Sequence, residues 1–134
     1  MWCFDWQRVL TKELGWIHVP VADVEIQAHA GSWKIIRVIV DSGAVVSLFK
    51  RSFGELLGLD VEAGLPLAVS GIGHGAVKTY LHDVKLKIAE EIISLPAAFA
   101  ATDGPPNLLG RHRLFDHLDV LFRHRRKRTC FHAR

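Results

Sequence analysis

Apolar and polar residues alternate with a period of two over much of the chain, and that pattern predicts a mostly β protein. Val24, Ile26 and Ala28 alternate with Asp23, Glu25 and Gln27; His29-Ala30-Gly31-Ser32 reads as a turn, and residues 33–40 return as a second strand ending on Asp41. Further strands are predicted at 67–69, 76–88 and 92–101, the last closed by Thr102-Asp103-Gly104-Pro105-Pro106. Within 76–88 the apolar parity slips from Val77 and Leu81 to Val84, Leu86 and Ile88, which predicts a bulge or break near His82-Asp83. Val120-Leu121-Phe122 and Thr129-Cys130-Phe131 read as short strands. Helical spacing is confined to three places. Trp2, Trp6, Val9, Leu10 and Leu14 predict a short amphipathic helix stopped at Gly15. Residues 52–59 predict one or two turns with Phe53, Leu56 and Leu57 inward, and 112–118 a short helix with Leu114, Phe115 and Leu118 on one side.

The 134 residues suffice for one domain, expected over 17–134 behind an N-terminal amphipathic segment, 1–16. No apolar run is long enough to span a bilayer, and Asp5 and Arg8 interrupt the start where a secretory signal would be apolar, so cytoplasmic residence is expected. Cys3 and Cys130 lie near opposite ends and are expected as reduced thiols. The net charge of +3 is local: Arg123, Arg125, Arg126, Lys127, Arg128 and Arg134 crowd the end, leaving the remainder acidic. Short strands on both sides make 123–128 a basic hairpin turn, and a charge so confined argues against a nucleic-acid-binding surface.

Candidate chemistry gathers where the strand Val38-Ile39-Val40 delivers Asp41-Ser42-Gly43-Ala44. A β-branched strand aims the carboxylate, and the small residues behind it admit a ligand or a backbone. Gly71-Ile72-Gly73-His74-Gly75 is a glycine-rich hairpin tip suited to a lid; a strand follows it, which excludes a dinucleotide-binding turn. His112 and His117, or Cys130 and His132, lack the paired spacing of a structural zinc site, so no metal or other cofactor is expected. Ser42 sits in no nucleophile elbow.

Asp41-Ser42-Gly43-Ala44, the glycine-rich tip and Leu108-Leu109-Gly110-Arg111 occur in the order and spacing of retroviral-type aspartic proteases, and residues 19–131 resemble that family, in particular its free-standing cellular and bacterial members. The resemblance implies a retropepsin-like closed β-barrel or sandwich half with a flap hairpin and one short helix near the C-terminus, acting as a two-fold homodimer. It implies an aspartic endopeptidase. One Asp41 per chain requires a second copy, so that two carboxylates share a proton, one activating water and the other polarising the scissile carbonyl. By the same resemblance Ser42 braces the dimer centre, Gly43 offers backbone to an extended peptide or protein substrate, Ala44 completes the active-site loop, 71–75 form the flap, and Leu108 to Arg111 brace the Asp41 loop. Val45 stands where viral members carry an Asp, and His74 where a small residue is common. Val45 supports the alternative of an inactive module of the same fold that binds peptide or dimerises.

Overall fold

The computed structural model of the protein describes residues 1–71 and 74–133, with His74 described in its backbone alone. The chain opens with strands β1 (Trp2–Asp5), β2 (Gln7–Thr11) and β3 (Gly15–Val19), not with the predicted helix. Trp2, Trp6, Val9 and Leu10 fit either periodicity, and pairing decides between them. β2 and β3 form a hairpin in which the Thr11 hydroxyl donates to Gly15 O (2.9 Å), while β1 is drawn to the far end of the chain.

Next come β4 (Val21–Gln27), β5 (Trp33–Val40), β6 (Ser47–Phe49), helix α1 (Arg51–Leu56), β7 (Leu65–Gly71), β8 (His74–Ile88) and β9 (Glu91–Ala100). Strands β10 (Leu108–Leu109), β11 (Leu118–Arg123) and β12 (Arg128–Ala133) complete the fold. β4, β5, β10, β6, β9 and β8 neighbour one another in that order, and β8 returns to β4 through Glu25↔Lys87 and Ile26↔Leu86. The sheet therefore closes into a barrel, which removes its edges. Val24, Ile26, Val38, Leu86, Leu95, Phe99 and Leu109 fill its interior. Helix α1 packs on β9, with Phe53 and Leu57 inward as expected but Leu56 exposed. Gly54 allows that approach, because a Cβ there would stand 2.9 Å from Phe99 Cδ1.

β8 carries no bulge at His82-Asp83: its register with β9 runs unbroken from Thr79↔Ala100 to Ile88↔Glu91. The change of parity comes from a change of neighbours. β8 first lies between β7 and β9, then between β4 and β9. Tyr80, Val84, Leu86 and Ile88 face the barrel interior, whereas Val77 and Leu81 join a second cluster with Leu48, Ala98 and Ala100.

The chain ends meet in a three-stranded sheet, β1-β12-β11. Its register sets Cys3 opposite Cys130, and the two form a disulfide, so the expectation of free thiols is overturned. Asp5 pairs with Arg128 in the same register (3.1 Å). The predicted C-terminal helix is replaced by successive turns, with Phe115 N–H donating to Arg111 O (3.0 Å) and His117 N–H to Leu114 O (3.1 Å). Arg113 takes a φ of +68°, and a left-handed residue cannot continue a right-handed helix. The basic run is a hairpin turn, a 3₁₀ turn at His124–Arg126 followed by Lys127, as expected. Among the described residues no helix is long and apolar enough to cross a membrane.

Candidate active site

Asp41 sits half-buried at the end of β5, immediately after the buried Val40. Its backbone N–H donates to Leu109 O (3.0 Å), and Val40 N–H donates to Pro20 O (2.8 Å), so the strand is held on both sides up to the acid. The Asp41 carboxylate accepts from Gly43 N–H (Oδ1, 2.9 Å), and Ala44 N–H donates to Asp41 O (3.1 Å). This is an Asx-type turn, in which the side chain fixes its own loop. A Cβ on Gly43 would lie 3.2 Å from that carboxylate oxygen. Ser42 and Gly43 are exposed beside it.

The brace is β10. It runs parallel to β5 (Leu109↔Val40) and antiparallel to β6 (Leu108↔Leu48), inserting between the strand that enters the loop and the strand that leaves it. Beyond it, Arg111 N–H donates to Ala44 O (3.0 Å) and His112 N–H to Val45 O (2.7 Å). Gly110 N–H donates to the buried Ser47 hydroxyl (3.0 Å). The segment Leu108 to Arg111 thus reaches the Asp41 loop through two bonds, Asp41 N–H to Leu109 O and Arg111 N–H to Ala44 O.

Lys50 and Asn107 support the site from outside the three motifs. The Asn107 carboxamide oxygen accepts from Lys50 N–H (2.8 Å), and Lys50 Nζ reaches Asp103 O (2.6 Å) and Pro105 O (2.8 Å). The Asp103 carboxylate accepts from Ser52 N–H (2.8 Å), and that bond holds its pKa below the ordinary carboxylate value. Together they tie the 103–107 loop to the start of α1 and fix where β10 enters. On α1, Arg51 pairs with Glu62 and lowers the carboxyl's pKa.

β7 and β8 form the expected glycine-rich hairpin, with exposed Gly71 and Gly75 near its tip and a register shift between Val69 and Gly71. Ile72, Gly73 and the side chain of His74 lie outside the described residues. Below the hairpin, the cluster of Leu48, Ala98 and Ala100, with Val46, Val77, Leu81 and Leu108 packed on it, joins β8 to the strands that hold the loop. Val45 is 59% exposed at the loop's edge. None of the ion pairs among the described residues involves Arg111. Among the described residues no group of three or more His, Cys, Asp or Glu side chains converges.

Comparison with known proteins bears on the fold. No family model matches, and no curated protein matches. Among solved structures, the chain is similar to the EIAV protease in complex with the inhibitor HBY-793, with a TM-score of 0.51 and 25% identity over 77% of this chain and 88% of that one. The fold is retropepsin-like.

Proposed function

We propose that the protein is an aspartic endopeptidase whose active site forms when a two-fold homodimer brings two Asp41 carboxylates together. The observation that carries this reading is the Asp41 loop itself: a half-buried carboxylate at a strand end, its Oδ1 held by Gly43 N–H and its loop clamped by β10. Two such groups at contact distance cannot both ionise, so the pair holds one proton. The ionised Asp41 takes a proton from a bound water, which attacks the scissile carbonyl. The protonated Asp41 of the partner subunit donates to the carbonyl oxygen, and a proton then passes to the leaving amine. No covalent intermediate forms.

Substrate lies extended beneath the β7–β8 hairpin, adding a strand, with Ser42 bracing the dimer centre and Gly43 offering backbone. A cystine such as Cys3–Cys130 persists in oxidising surroundings, which weighs against the cytoplasmic residence expected from the sequence.

Asp41→Asn keeps an oxygen for Gly43 N–H and removes the base. Wild type and variant are incubated with a diverse peptide pool from about pH 4 to about pH 7.5, and cleavage is read by mass spectrometry. Cleavage by wild type alone, rising with protein concentration, is the expected result. The exposed Val45, and the lack of an ion pair to Arg111 among the described residues, favour a second reading, an inactive peptide-binding or dimerisation module. No cleavage from a dimeric sample establishes that second reading.

A further inference from the structure

The β2–β3 hairpin pairs with no other strand among the described residues, and its two faces meet different surroundings. Cross-strand partners share a face: Val9 and Ile17 lie half-buried on one, while Leu10 and Trp16 lie 63% and 57% exposed on the other. Leu14, in the turn between the strands, is 76% exposed. Arg8 stands on the Trp16 side, its guanidinium carbon 4.2 Å from the ring centroid, and Lys12 stands in the turn. Glu13 is the one acid between residues 7 and 19.

Beside the root of this hairpin lies the basic turn. Trp6, the residue before β2, donates its backbone N–H to Lys127 O (2.8 Å) and its indole N–H to Thr129 Oγ1 (2.8 Å), and its ring meets His124 edge-on (5.4 Å). Residues 123–128 hold five cations and no acid, with Arg123, Arg125 and Arg126 exposed. Of the ion pairs among the described residues, one reaches this turn, Asp5 to Arg128.

We infer that these two neighbouring features form one docking surface for an anionic lipid bilayer, with Leu10, Leu14 and Trp16 entering the interface and the basic turn resting on the headgroups. Charge and apolar side chains select that occupant together. A nucleic acid or an acidic peptide matches the arginines but leaves Leu10 and Leu14 in water, and the apolar core of a protein interface is depleted of charge. A bilayer with acidic headgroups takes both: aliphatic side chains reach the acyl boundary, an indole sits at headgroup level, and Lys and Arg are drawn to the surface potential. The scale fits. Strands of five residues project the turn about 16 Å from the hairpin's root, and interfacial elements sink about 5–10 Å. Attachment of this kind needs neither Asp41 nor a second copy, so it stands whether or not the protein cleaves peptides.

The test is co-sedimentation of the whole protein, with its disulfide intact, with vesicles of phosphatidylcholine alone or mixed with phosphatidylserine. Wild type is compared with Leu10→Ser/Leu14→Ser and with Arg125→Ala/Arg126→Ala, after thermal unfolding confirms that each variant folds, as expected for exposed positions. Trp16→Ser, on the same face, replaces the leucine pair if that variant unfolds. Wild type should bind the phosphatidylserine vesicles only, with affinity falling as salt rises. The arginine variant should bind about 30-fold more weakly and the leucine variant about 10-fold. No binding by wild type, equal binding to both vesicles, or binding indifferent to either pair of substitutions overturns the proposal. Binding that needs the arginines but not the leucines, matched by equal affinity for a single-stranded oligonucleotide or polyglutamate, overturns it in favour of a polyanion. Oligomers dissolved by Leu10→Ser/Leu14→Ser, without vesicle binding, overturn it in favour of a second copy.

Discussion

Gly110 is the position where a single methyl group should undo the brace of the Asp41 loop. A Cβ there would meet Val46 O and stand 2.5 Å from Val46 C and 3.0 Å from Ser47 N. All three are backbone atoms of the segment entering β6, so no side chain can swing aside. Restoring ordinary contact needs a retreat of about 1 Å, and a two-residue strand held on both sides has no room for it. Overpacking of this kind costs about 1–3 kcal/mol, and the stretched Gly110–Ser47 bond leaves a buried donor unsatisfied for about 1–3 more. We expect Gly110→Ala to lose about 2–6 kcal/mol, a large part of the total stability of a domain this size. Urea unfolding followed by far-ultraviolet circular dichroism measures it, with Gly71→Ala as control because a Cβ there meets nothing within 4 Å. A Gly110→Ala protein within about 1 kcal/mol of wild type, or a Gly71→Ala protein equally damaged, refutes the steric account.

Ser47→Ala tests the other half of that contact: it removes the acceptor of Gly110 N–H at a buried site and should cost about 1–3 kcal/mol in the same unfolding assay. The β8–β9 turn places Ala89 and Glu90 at φ +52° and +65°, a two-residue turn that prefers glycine. Glu90→Gly should therefore raise stability by about 0.5–1 kcal/mol, seen as a higher urea midpoint. Arg51 holds the Glu62 carboxyl below its ordinary value of 4.5, so this pair stabilises fully above that value and is lost as pH falls through the lowered one. Glu62→Gln should flatten the acid limb of a stability–pH curve, and an unchanged limb would show that the pair contributes nothing.

The Asp41 strand, the β4–β5 hairpin and β9 were legible because each is a local alternation that ends on turn residues or on the acid itself. The three motifs were legible as an order, and the meeting of the Asp41 and Leu108–Arg111 motifs follows from a parallel pairing, Leu109↔Val40, that no local pattern encodes. Trp2 to Leu10 misled because aromatic residues near helical spacing also suit strands, and the deciding partner, β12, lies at the other end of the chain. The disulfide depended on the same register. Residues 112–118 kept helical spacing but lost the helix at Arg113, a non-glycine residue in a left-handed conformation, for which composition gives no warning. In β8 the parity slip was correctly seen; its cause was a change of neighbouring strand, which only topology reveals.

The late strand β10 has a consequence for the order in which the protein comes into being. Asp41 is placed by Leu109 and its loop by Arg111 and His112, so a growing chain carries the acid long before it carries the residues that aim it. Parallel pairings at such sequence separation are slow to form, on the order of milliseconds to seconds. Nascent or truncated chains ending before about residue 110 would hold a carboxylate without a site, and competence would arrive in one late step, when the C-terminal quarter has been synthesised and docked.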